Sequence, residues 1–167
     1  MNKKGEEEEI LMGETINIIV AVLCIVALIA LVVVIYLTTT ANNGARYAAA
    51  IVNGNNGIAN ETKVINAGGA DNTNFFVPNP SGWYIFSFTE ESIRPNKCSG
   101  GNCLCICEKL LVGIINTDSR QAGKCDDTGS CVVIQNLKTF DKIQIKNGGI
   151  FISIKKVNGM VEVTKND

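Results

Sequence analysis

Hydrophobic and polar positions divide the chain into stretches of different texture. Ile18 to Leu37 (IIVAVLCIVALIALVVVIYL) runs 20 residues without a charge or a strongly polar side chain. A soluble helix of this length keeps a polar stripe, and none is present here. At about 1.5 Å per residue the run reaches about 30 Å, the hydrocarbon thickness of a bilayer. Ile and Val are weak helix formers in water, but lipid forces backbone hydrogen bonds inward and overrides that preference. Tyr36, near the far end, suits an interfacial anchor. The run therefore predicts a transmembrane helix. A removable secretory signal needs a shorter apolar stretch and a small-residue cleavage site, for which Thr38-Thr39-Thr40-Ala41 serves poorly.

Beyond the span the pattern changes. Ala45 to Val52 is alanine-rich and helix-prone, so the helix continues or restarts after Asn42-Asn43-Gly44, and Gly54-Asn55-Asn56-Gly57 breaks it. From Lys63 on, short β segments alternate with turn residues: Gly68-Gly69 and Asp71-Asn72 mark one loop, Pro78 to Gly82 another. Trp83 to Thr89, Cys103 to Glu108, Cys131 to Leu137 and Lys142 to Lys146 read as strands. Ile150, Ile152 and Ile154 alternate with Phe151, Ser153 and Lys155, and Asn158-Gly159 predicts a type I′ turn into Met160 to Thr164. A helical turn is expected near Glu108 to Ile115. The expected class is α+β: one N-terminal transmembrane helix, pilin-like in build, then a small, mostly antiparallel β domain stapled by disulfides. The expected divisions are a cytoplasmic leader-like segment (1–17), the span (18–37), a stalk (38–60) and an extracytoplasmic cysteine-rich domain (61–167).

Charge and composition narrow the chemistry. The formal net charge of the 167 residues is −1, and from Thr38 onward 13 Lys/Arg face 11 Asp/Glu, a balance that gives no nucleic-acid footprint. The chain has no histidine, which removes Ser-His-Asp and Cys-His catalysis, His-ligated metals and His-based pH switching. The lysines at 138, 142, 146, 155, 156 and 165 read as residues that keep sheet edges soluble.

Of seven cysteines, Cys24 lies in the apolar run, and the other six (Cys98, Cys103, Cys105, Cys107, Cys125, Cys131) crowd into 34 residues. A dense, even cluster downstream of a membrane segment reads as a disulfide framework in an oxidising compartment. In an extended Cys103-Leu104-Cys105-Ile106-Cys107, the cysteines share one face and Leu104 and Ile106 the other. Same-face neighbours about 6.5–7 Å apart are at the limit of disulfide reach. Each therefore pairs with one of Cys98, Cys125 and Cys131, which leaves six of the fifteen pairings. Zinc or an iron–sulfur cluster is the weaker alternative, because structural zinc sites favour gaps of two to four residues on a turn. Asp127-Thr128-Gly129-Ser130 has the short signature of an aspartic protease but occurs once and lacks the preceding apolar strand, so an ordinary turn is expected. Asp126 and Asp127 lack the spaced ligands of a calcium loop. No catalytic, cofactor-binding or metal-binding residue is assigned, and no enzyme activity is expected.

Lys3 and Lys4 precede the span and only Arg46 closely follows it, so the positive-inside rule places the N-terminus in the cytoplasm. The cysteine cluster independently places the C-terminal side outside. Lys3-Lys4-Gly5, a short polar stretch and then the apolar run resemble the class III signal of archaeal type IV pilins and pilin-like proteins. That resemblance implies cleavage between Gly5 and Glu6, and a helix that either packs into a filament or stays in the membrane. Glu14 stands where pilins carry an acid for subunit registry, although a helix-start acid at headgroup level is the simpler reading. The second half is similar to small archaeal envelope proteins with a Cys-x-Cys-x-Cys run after a membrane helix, a resemblance that implies no activity. Asn60-Glu61-Thr62 is a glycosylation triplet if this side faces outward. The expected function is a structural or interaction protein of the cell envelope, meeting the bilayer and either copies of itself through the helix or other envelope proteins. The alternative is a membrane-tethered binding module for another envelope protein or ligand.

Overall fold

The computed structural model describes residues 3–90, 93–110 and 118–166. The helical turn expected near Glu108 to Ile115 falls largely outside them. The chain forms two compact units that divide between Thr40 and Ala41.

The first unit belongs to helix α1 (Lys3–Asn53). Its large apolar side chains from Ile16 to Leu37 are each 49–69% exposed, and the helix is long and apolar enough to cross a membrane. The three threonines that follow satisfy their own hydroxyls. Thr38 Oγ1 donates to the Val34 carbonyl at 3.0 Å, Thr39 to Ile35 at 2.8 Å and Thr40 to Tyr36 at 2.8 Å. Such back-bonding lets a hydroxyl sit in an apolar setting at little cost.

The second unit begins with the last turns of α1. Ala48, Ile51 and Val52 are buried there. The helix continues through Asn42-Asn43-Gly44. Gly44 is not a break but a point of close approach: a Cβ at this position would lie 2.5 Å from Cζ2 and 2.9 Å from Cε2 of Trp83. The chain turns at Gly54 and Gly57 and enters α2 (Ile58–Asn66), which was expected as stalk and strand. Ile58, Thr62 and Ile65 recur at helical spacing and all three are buried.

Two antiparallel sheets complete the unit. One holds β1 (Asn72–Val77), β6 (Ile150–Val157) and β7 (Met160–Asn166) in the order β1-β6-β7. The other holds β2 (Tyr84–Phe88), β3 (Cys103–Cys107), β4 (Ser130–Val133) and β5 (Ile143–Gln144) in the order β4-β3-β2-β5. A short 3₁₀ turn (Asn96–Cys98) precedes β3, and helix α3 (Asp118–Thr128) precedes β4. The β6–β7 hairpin forms as its alternation dictates: Asn158 and Gly159 both adopt positive φ (51° and 81°), as a type I′ turn requires. Strand β1 starts at Asn72, the second of the two turn residues that predict a loop; its polar Asn72 and Asn74 alternate with half-buried Thr73 and Phe75 against β6.

One apolar core collects the inward faces of both sheets and the helices. It contains Ala48 and Val52 of α1, Ile58 and Ile65 of α2, Ile85, Leu104 and Ile106 of one sheet, and Ile152, Ile154, Val161 and Val163 of the other. The fold is thus α+β, with one long apolar N-terminal helix, antiparallel sheets and three disulfides.

Candidate functional site

The chemistry of the chain concentrates on β3. All five residues of Cys103-Leu-Cys-Ile-Cys107 have 0% exposure, because the strand is central in its sheet and covered on both faces. Leu104 and Ile106 enter the main core, each burial contributing roughly 1.5–3 kcal/mol. The three cysteines enter a second, smaller core with Phe88, Cys98, Ala122 and Cys125, flanked by Phe86 and Cys131.

The bridges are Cys98–Cys103, Cys105–Cys131 and Cys107–Cys125. Each β3 cysteine bonds one partner outside the strand, one of the six arrangements that strand geometry leaves open. Cys105 and Cys131 stand directly opposite each other in the β3–β4 ladder, with Cα atoms 4.1 Å apart. Cys107–Cys125 fastens α3 to the strand, and Cys98–Cys103 closes the loop that contains Gly100-Gly101. Each closure stabilises by roughly 2–4 kcal/mol, least for the five-residue separation of Cys98 and Cys103. Cys24 is free and exposed on the apolar helix.

Polar groups hold the covering elements in place. Asp126 accepts the backbone N–H of Asn96 at 2.8 Å through Oδ2 and that of Lys97 at 3.0 Å through Oδ1. The Lys97 ammonium donates to the Gly129 carbonyl at 2.8 Å. Both Asp126 oxygens thus serve the 3₁₀ turn that carries Cys98, a role for this residue that sequence reasoning missed. Asp127 to Ser130 is not a hairpin turn: Asp127 and Thr128 end α3, and Ser130 opens β4. Gly129 is required by space, since a Cβ there would sit 2.6 Å from Cys107 Cβ and 2.8 Å from the Cys125 carbonyl oxygen. Gln121 Nε2 donates to the Glu108 carbonyl at 2.8 Å, and Lys124 pairs with Glu108 at 2.7 Å. On the other sheet, Glu162 receives Lys138 at 2.7 Å and Lys155 at 3.3 Å, and these partners hold its carboxyl below the ordinary glutamate range.

The cysteine face of this sheet also carries an aromatic row. Tyr84, Phe86 and Phe88 lie opposite Cys107, Cys105 and Cys103, with successive ring centroids 6.0 and 6.1 Å apart and the Lys109 ammonium 5.8 Å from the Tyr84 centroid. Beside this row runs an open groove of about 520 Å³, lined among others by Phe86, Phe88, Lys109, Gln121, Phe140 and Lys142.

The remaining sequence-marked residues lie elsewhere. Gly5 and Glu6 are helical, in the first turns of α1. Asn60 is exposed on α2, but the Thr62 hydroxyl of its triplet is buried and donates to the Ile58 carbonyl at 2.9 Å. A transferase that reads that hydroxyl must therefore act before α2 folds. The Sγ atoms of Cys98, Cys103 and Cys105 lie within 4.8 Å of one another, a spacing that metal ligands also adopt, but here each is committed to a disulfide.

Together these features define a class: a disulfide-stapled α+β domain that follows a helix apolar and long enough to span a bilayer. Compared with family models, curated proteins and solved structures, the chain gives no match in any of the three.

Proposed function

We propose that the protein is a single-pass structural or interaction protein of a cell envelope, pilin-like in build, with its N-terminus cytoplasmic and its stapled domain outside. The observation that carries this reading is the Ile18–Leu37 segment of α1. It has no charge, its large side chains are exposed on every face of the segment, and it leads into a domain with three bridges. Fifteen of its 20 residues are Ile, Leu or Val. At about −0.3 to −0.6 kcal/mol each, they favour the bilayer by roughly 5–9 kcal/mol. The threonine hydroxyls bonded to preceding carbonyls extend a helix that needs no water at that end. Lys3-Lys4-Gly5 ahead of the span supports processing between Gly5 and Glu6, and a helix freed of its leader can pack against copies of itself.

The groove beside Phe86 and Phe88 favours a second reading, a tethered module that binds another envelope protein or a ligand. N-terminal sequencing of the native protein, together with its assembly state, separates the two. A chain beginning at Glu6 and recovered in filaments supports the structural subunit. An intact Met1 on a monomer in detergent refutes it in favour of the tethered module.

A further inference from the structure

We propose that Cys105 is a thiol–disulfide exchange site that couples the half-buried Cys105–Cys131 bridge to the buried Cys98–Cys103 bridge, with an external dithiol as co-reactant. The two bridges pack against each other. Cys105 Sγ lies 3.6 Å from Cys98 Sγ and 3.8 Å from Cys103 Sγ, in van der Waals contact with both sulfurs of a bond to which it does not belong. The sheet produces this arrangement. Cys103 and Cys105 share one face of β3, and the turn held by Asp126 sets Cys98 over them.

Access to the cluster is one-sided. Cys98, Cys103 and Cys105 are 1%, 0% and 0% exposed, whereas Cys131 sits half-buried on β4, an edge strand of its sheet. Cys131 is therefore the cysteine of these two bridges that a reductant can approach. One thiolate of the dithiol attacks Cys131 Sγ and forms a mixed disulfide. The Sγ131–Sγ105 bond breaks, and Cys105 leaves as a thiolate with the electron pair. Freed from Cys131, the Cys105 thiolate turns from its side-on position into line with the Cys98–Cys103 bond and attacks Cys98 Sγ; that bond breaks, and Cys103 leaves as a thiolate that takes up a proton. The second thiol of the dithiol then resolves the mixed disulfide and frees Cys131. The dithiol ends as a cyclic disulfide, two electrons having passed to the protein. The protein ends with a Cys98–Cys105 bridge and thiols at Cys103 and Cys131. The relay opens a bridge that no external thiol touches.

The test uses the full chain in detergent, treated with limiting dithiothreitol, quenched by alkylation over a time course and mapped by peptide mass spectrometry. The proposal expects a peptide pair joined through Cys98 and Cys105, with alkyl labels on Cys103 and Cys131. If labels occur only as the original pairs, Cys105 with Cys131 and Cys98 with Cys103, at every time point, the relay is overturned. A second measurement uses the buried Cys107–Cys125 bridge as an internal clock, so that any loosening of the fold cancels. In the Cys105→Ser/Cys131→Ser chain, the rate of opening Cys98–Cys103 relative to that clock falls at least about tenfold, because the neighbouring group that turns to attack the bond is lost. An unchanged or increased ratio also overturns the proposal.

Discussion

Replacing Gly44 by alanine sets two rules of protein stability against each other. Helix propensity alone favours the change, since alanine in a helix interior is about 1 kcal/mol better than glycine. Packing opposes it. The new Cβ would lie 2.5, 2.9 and 3.2 Å from Cζ2, Cε2 and Cη2 of Trp83, a rigid ring that is only 7% exposed. Relieving such contacts by shifting a buried aromatic typically costs about 1–3 kcal/mol. The net expectation for Gly44→Ala is a loss of up to about 2 kcal/mol, with the packing term winning. The sign should reverse when the ring is removed. In a Trp83→Leu background, itself destabilised, Gly44→Ala should gain stability toward the propensity value, giving a coupling of about 1–3 kcal/mol between the two sites. The assay is thermal unfolding of the full chain in mild detergent, followed by circular dichroism, with the bridges intact. A gain in stability for Gly44→Ala in the natural background, or a zero coupling in the double-mutant cycle, refutes the claim that the last turns of α1 pack directly on Trp83.

Three further outcomes follow from the same geometry. Asp126→Ala removes the acceptor of both the Asn96 and Lys97 amides and should cost about 1–3 kcal/mol, with hydrogen exchange at those two amides accelerating well before the sheet core does; unchanged exchange there would contradict the anchoring role. Gly159→Ala places a side chain at φ 81° in the β6–β7 turn and should destabilise by roughly 1 kcal/mol, read from the same thermal unfolding, and an undiminished melting temperature would count against the type I′ turn. The Glu162 carboxylate is held below its ordinary range first by the Lys138 hydrogen bond and then by Lys155, so its contribution is fully present above the ordinary glutamate pKa. It disappears as pH falls through the lowered folded value. A carbon-detected titration should show a depressed midpoint that rises in Lys138→Met, and an ordinary midpoint in the unaltered chain would refute the pairing.

Legibility in the sequence tracked how much each element stabilises itself. The apolar run, the alternation of Ile150 to Ile154 and the Asn158-Gly159 turn carry strong local signals: the first forms a helix long and apolar enough to cross a membrane, and the other two form the expected strand and turn. The two-faced character of Cys103 to Cys107 was equally plain, and it limited the pairings to six. What stayed hidden depends on tertiary support. Helix α2 shows Ile58, Thr62 and Ile65 on one face, but it is nine residues long and follows a glycine- and asparagine-rich turn, so it forms only because the core receives that face. Among the described residues of helix α3, Ala122 and Cys125 are the buried ones, and a disulfide holds the helix to β3, so periodicity could not expose it. The contact of Gly44 with Trp83 links positions far apart in sequence, and a glycine between asparagine and alanine reads locally as a break. The anchoring role of Asp126 is similarly invisible, because its partners are backbone amides about 30 residues away.

The account rests on Ile18 to Leu37 residing in lipid. Extraction of native membranes at alkaline pH, followed by centrifugation and immunodetection, tests this most directly. The chain should remain in the membrane pellet and leave it only with detergent. Release of the bulk of the protein into the alkaline supernatant would contradict the anchor and the envelope function built on it.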